Sequence, residues 1–341
     1  MITLRFWFNV NPDQEKQTMT MQEIYQLCIK KGIGADPRGK VGIAKFLART
    51  KKRYDALPKR EQQNFDKESF TNPYADTRIL FGDSSTSVDK VLVGIDIDVG
   101  ELLLADRLNE KGEGIDVVIA HHPSGRALAA LDEVMELQID LLSSYGVSVT
   151  AAEHLLEKRM GEVFRRFSPL NHNRALDAAR LLNIPFMCVH TPADNLGWRF
   201  LSERIEQGEF DTVDEVIEFL ETVEELRNAQ GTKAGPVIFS GKPSSRAGKV
   251  RVVEFTGGTE GAKEIYERLS HAGIGTIIGM HVSEEHKKEA EKYHINLVVT
   301  GHMASDSIGM NLLLDELEKR GVENIPCSGL IRYKRGTRQS R

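Results

Sequence analysis

From about residue 76 onward, short apolar runs rich in β-branched residues alternate with amphipathic segments that end on glycines. That grammar confines the chain to an α/β fold with substantially parallel sheets. The expected strands are VLVGIDI (91–97), DVVIA (116–120), VSVTA (147–151), FMCVH (186–190), PVIFS (236–240), VRVVEF (250–255), TIIGMHV (276–282) and INLVVT (295–300). Segments such as ALAALDEVMELQIDLLSSYG and EGAKEIYERLSHAG between them carry helical periodicity.

Four regions follow. Residues 1–75 form an N-terminal extension and helical arm; within it, residues 1–18 read as an upstream stretch that packs poorly or as a start-site artefact. Residues 76–200 form a first α/β lobe, 201–235 an acidic helical connector, and 236–335 a second α/β lobe. A chain of 341 residues has room for about two domains and can bury a large core without disulfides. Cys28, Cys188 and Cys327 lie far apart and form no CxxC pair, which fits a reducing compartment and points to the cytoplasm. A formal charge of −5 argues against a dedicated nucleic-acid binder. The basic runs at 51–53 and 332–341 read as a solvated face and a frayed terminus. No apolar stretch approaches the ~20 residues of a membrane-spanning helix.

Ligands of open α/β sheets bind beyond the carboxyl ends of the strands. There the predicted strands deliver His121-His122-Pro123, the His190 to Asp194 segment, His281, the Gly301 to Asp306 segment, and Asp96 with Asp98. Five of the ten histidines fall at such ends. Imidazole and carboxylate together form a ligand set for zinc, iron, manganese or similar divalent ions. His121 and His122 can reach one site only if the strand has ended and the backbone turns there, as Pro123 suggests, and two diverging imidazoles suit two ions better than one. His302 and Asp306 can face one point if a helix begins near Ser305. Asp194 and Asp306 are the bridging candidates, and His190 and His281 are candidates for handling protons.

Each piece also has a plain structural reading. His-His-Pro alone can be a surface turn, the His190 to Asp194 segment a loop, and Asp306 a helix-start aspartate. The joint occurrence at matching strand ends favours a site. Gly257, Gly258 and Gly261 follow a predicted strand and are expected to open a helix. They could hold a phosphate through backbone N–H groups, or simply allow a tight turn. There is no G-x-S-x-G elbow, and Cys188 reads as a small core residue, so a covalent nucleophile is disfavoured.

The segments VLVGIDID, GIDVVIAHHP, CVHTPAD, VVEFTGGTEGA and NLVVTGHMASDSIGMNLLLDELEKRG, in that order, resemble the motifs of the Nif-three-like (Nif3-like, NGG-interacting-factor-like) dinuclear metal-centre family. Some of its members carry the name GTP cyclohydrolase I type 2. The resemblance covers roughly residues 88–335. It implies a two-lobed fold, a toroidal homohexamer, and a pair of metal ions held by His121, His122, Asp194, His302 and Asp306. The family's Gly-His-x-x-x-Glu motif ends in Asp306 here, one methylene shorter, which puts the second ion in question. The expected function is a metal-dependent hydrolase of a phosphoester or nucleotide-like substrate, GTP cyclohydrolase-like or phosphodiesterase-like. The alternatives are a non-enzymatic metal-binding ring for storage or delivery, and a regulatory scaffold with structural metals.

Overall fold

The structure is a computed structural model and describes residues 18–335. The expectation for residues 1–18 falls almost wholly outside the described residues, as does the end of the basic tail, 336–341. The strands are β1 Met19–Thr20, β2 Arg78–Phe81, β3 Ser87–Val88, β4 Lys90–Gly94, β5 Val117–Ala120, β6 Phe186–Cys188, β7 Val237–Ser240, β8 Lys249–Val252, β9 Ile274–Gly279, β10 Asn296–Val299 and β11 Glu323–Cys327. They build two partly parallel sheets. The first has the order β11-β4-β5-β6-β2, parallel except for β2 at its edge. The second has the order β7-β10-β9-β8, with β7 as its antiparallel edge. A two-residue antiparallel ladder joins β1 to β3.

Both faces of the first sheet are covered, which explains why its strands read as continuous apolar runs. Val91 and Val93 point to a face packed by Met21 and Ile24 of the arm helix Met21–Ala35 and by Leu313 and Leu317 of the helix His302–Glu318. Leu92, Val118 and Phe186 point the other way, against Leu102, Ala105, Ala175 and Ala179. The second sheet is sandwiched in the same manner. Ile277 and Leu297 meet Tyr266 and Leu269, while Ile278 and Val298 meet Leu201, Val216 and Leu220.

The arm is helical over Met21–Ala35, Gly39–Ala56 and Lys59–Gln62. Thr20 and Glu23 start it with a reciprocal capping box. The acidic stretch forms the helices Val213–Glu221 and Glu224–Gln230.

Three expectations need correction. VSVTA is not a strand, because Val149 already opens the helix Val149–Phe167; the long helix-forming run that follows outweighs the β preference of two valines. The second lobe does not extend to residue 335. Strand β11 returns to pair in parallel with β4, so the chain's last strand completes the first sheet. Its Pro326 is tolerated because β11 is an edge. The helix carrying Asp306 begins at His302, not near Ser305.

Candidate metal centre

Strand β5 ends at Ala120, and the next two backbone N–H groups donate to Gly94 and Ile95 carbonyls, both at 2.9 Å. This turn sends the His121 and His122 rings to one place, 5.2 Å apart. His190 and Asp194 follow β6 as it passes into the helix Thr191–Gln207. His302 and Asp306 lie one turn apart at the start of the helix after β10. Gly301 has φ +93°, and an added Cβ would overlap the Ala234 carbonyl oxygen. A glycine is therefore required to make this strand-to-helix turn. The two carboxylate-bearing helices touch at Gly309, where a Cβ would overlap the Ala193 carbonyl.

His121, Asp194 and Asp306 offer one mutually close atom set, and His122, His302 and Asp306 offer another; His121, His122 and His190 form a third. Asp306 joins the first two. Its Oδ1 lies 3.6 Å from His121 Nε2, while its Oδ2 lies 3.4 Å from His122 Nε2 and 3.5 Å from His302 Nε2. Asp194 Oδ1 lies 3.3 Å from His121 Nε2. Ligands sharing a tetrahedral ion with bonds of about 2.0–2.1 Å sit roughly 3.3–3.5 Å apart, so this spacing fits a common cation.

The protonation pattern calls for a positive charge there, a proton or a metal ion. His121 Nδ1 lies 3.0 Å from the Val189 carbonyl, which can only accept, so the proton is on Nδ1. Nε2 then presents a lone pair to two carboxylates. His121 Nε2, Asp194 Oδ1 and both Asp306 oxygens are buried without a hydrogen-bond partner. Four buried acceptors facing one another are unstable unless a proton or a metal ion lies between them. In the metal-free protein a proton takes that place. Burial disfavours the charged ring of His121, but Asp306 and Asp194 outweigh it and hold its pKa well above the usual value. Burial alone would raise Asp306, yet His121, His122 and His302 hold it well below the usual carboxylate range. Burial and the neighbouring imidazoles lower His302 to about 4 against the pull of Asp306, leaving the neutral ring that a metal needs.

An outer layer of carboxylates orients these groups. His122 Nδ1 donates to Asp96 at 2.7 Å, and His190 Nδ1 donates to the buried Asp76 at 2.8 Å. Asp76 also accepts from the Thr191 hydroxyl at 2.6 Å. Such partners fix tautomer and ring orientation. Asp96 stood at a strand end in the sequence; Asp76 lies in a turn with no periodic or spacing signal. His281 lies beside His302, ring centroids 4.4 Å apart, and helps to line a narrow cleft with His190, Asp194, Glu254, Gly258, Glu260 and His302.

The glycine turn does not open a helix directly. The next helix starts only at Ile265, and the Gly261 N–H donates to Glu254 Oε2 at 3.0 Å. Gly257 and Gly258 have φ of +89° and +86° and pack against Gln138 and Val134, which leave no room for a Cβ. These glycines allow close packing and bring the loop to the cleft.

A solved NIF3 superfamily protein from Sphaerobacter thermophilus superposes with a TM-score of 0.71 at 28% identity, covering 92% of this chain and 99% of its own. The chain is thus similar in fold and sequence to a NIF3 superfamily protein. Reduced HcgD from Methanocaldococcus jannaschii is a more distant structural neighbour, with a TM-score of 0.48, 12% identity, and 78% and 94% coverage of the two chains. A Bacillus cereus protein related to NIF3 gives 0.46 at 11% identity, with 95% and 99% coverage. No family model and no curated protein matches the sequence.

Proposed function

We propose that the protein holds two divalent ions, one among His121, Asp194 and Asp306 and one among His122, His302 and Asp306, and hydrolyses a phosphoester or nucleotide-like substrate beside them. The carrying observation is the set of four buried atoms, His121 Nε2, Asp194 Oδ1 and both Asp306 oxygens, that have no hydrogen-bond partner within the protein. When bound, such ions supply Lewis acidity, acidifying water and polarising a phosphoryl oxygen. The chain's own residues then orient and move protons. Asp76 fixes His190 with Nε2 free to accept a proton, 3.8 Å from Asp194 Oδ2. His281, at the cleft wall, is a second proton carrier. Zinc, iron and manganese all suit this donor set, and availability selects among them.

The second reading, a non-enzymatic metal-binding ring for storage or delivery, is favoured by the narrowness of the cleft, whose volume is about 30 Å³. A homohexamer is part of both readings and rests on the family resemblance. A cytoplasmic setting rests on three free cysteines, and no described helix is long and apolar enough to cross a membrane. Elemental analysis of protein purified without chelators, followed by a metal-loaded screen of phosphodiesters and nucleotides with His122→Ala as control, separates the readings. Two ions per chain with turnover support the hydrolase. Two ions without turnover support the ring, and trace metal after reconstitution overturns both.

A further inference from the structure

Strand β8 ends at Val252, and two residues later the chain places Glu254 in the wall of the cleft beside the ligand cluster. Its backbone is pinned, since its carbonyl accepts from the Met280 N–H at 2.9 Å. The side chain is 6% exposed. One carboxyl oxygen, Oε2, accepts from the Gly261 N–H at 3.0 Å; the other, Oε1, is buried and has no partner. An unpartnered buried carboxylate is costly, whereas a protonated carboxyl has an O–H to give.

A second carboxylate lines the same cleft in the opposite condition. Glu260 lies 2.8 Å from His286 Nδ1 and accepts from the Ser283 N–H at 3.1 Å. Burial would raise Glu260, but His286 overcomes it and lowers the carboxyl to about 2. At Glu254 burial raises the pKa and prevails over the more distant His286 and the Gly261 N–H. The charged and titratable groups facing Glu254 are His286, Glu260, His281 and the buried Tyr266. Two carboxyls in one cleft, driven apart by their surroundings, mark which is the acid.

We propose that Glu254 is the general acid of this site, donating the proton on Oε1 to the oxygen that leaves the substrate. The role rests on the hydrolase reading above. In the step, a water oxygen forms the new bond to phosphorus and its proton passes to His190 Nε2. The bond to the leaving oxygen breaks, and that oxygen takes the Glu254 proton. Solvent then returns the proton from His190 to Glu254, so protons and electrons balance.

Glu254→Gln keeps shape and size but cannot donate an acidic proton. The test uses metal-loaded wild type and variant with two diesters, one with a p-nitrophenolate leaving group and one with an alkoxide. Metal content should be equal in both proteins. The variant should lose about 100-fold or more on the alkyl diester and less than about threefold on the aryl diester, which needs no acid. Infrared spectroscopy gives a readout independent of turnover: the loaded wild type should show a protonated carboxyl band at neutral pH that is missing from Glu254→Gln. Should that variant not fold, Glu254→Asp and the wild-type band measured with carboxyl-labelled glutamate carry the test. An unchanged ratio of the two rates, or no such band in wild type, overturns the role of Glu254 alone. No turnover of either ester by wild type overturns the hydrolase reading and this role with it.

Discussion

Asp306 stands where the resemblance implies a glutamate, and the shorter arm is offset by its position. Beginning the helix at His302 puts Asp306 one turn in, 2% exposed, with an oxygen toward each imidazole group. Asp306→Ala should release one ion well before the other, and Asp306→Glu should retain both; metal titration followed by elemental analysis checks this. Equal affinity of Asp306→Ala and wild type for both ions would reduce the residue to a helix-start aspartate. Asp96→Ala leaves every ligand in place but frees the His122 ring, so metal affinity should fall about 10- to 100-fold with little unfolding. His154, exposed on the helix Val149–Phe167, is the neutral control, and His154→Ala should change neither property.

The pair Glu260–His286 predicts a pH window. Glu260 is depressed to about 2, so its contribution to stability is present above the unfolded value near 4.5 and is lost as pH falls toward 2. His286 is raised from 6.5, so its contribution is full below that value and is lost as pH rises through the folded pKa. Stability should therefore fall on both sides of a plateau near pH 5–6. Glu260→Gln should flatten both limbs and cost about 1 kcal/mol within the plateau, since Glu260 is only partly buried and solvent screens the pair. Denaturant melts across pH check this.

At the scale of elements, the arm is tied to the site through Asn195, the neighbour of Asp194. Its amide donates to Asp36 at 3.2 Å and to the Tyr74 hydroxyl at 3.3 Å, and its carbonyl accepts from Thr256 of the second lobe at 2.7 Å. Asn195→Ala leaves these buried partners unmatched and should cost about 2–3 kcal/mol, read as a lowered thermal midpoint. The alternation of runs made both sheets legible in the sequence, because strands covered on both faces must be apolar throughout. Strands β2 and β11 were not legible. RILF is short and ENIPC carries a proline, and each becomes a strand only by pairing at the edge of the first sheet. The candidate ligand residues were visible because they follow strands. Asp76 and Glu254 were not, since their roles arise from neighbours far along the chain.

Across the whole molecule, His121, His122 and Asp194 follow strands of the first sheet, and His302 and Asp306 follow β10 of the second. On the proposed reading, bound ions tie these strand ends together. Removing them with a chelator should lower stability by about 2.7 kcal/mol per ion when the free ion had stood at a hundred times the dissociation constant of each site. Differential scanning fluorimetry with and without chelator measures it, and an unchanged midpoint would count against ions between the lobes. Light scattering should report a hexamer at micromolar concentration, and a stable monomer would contradict that expectation.

The split origin of the ligands has a consequence for how such a protein comes into being. A chain emerging from the ribosome carries His121, His122 and Asp194 long before His302 and Asp306 exist. No chain that stops short of Asp306 can assemble the pair, and a chain whose sheets have docked wrongly cannot either. On the proposed reading, metal capture comes late in maturation, and a filled centre reports that both sheets have been made and correctly docked.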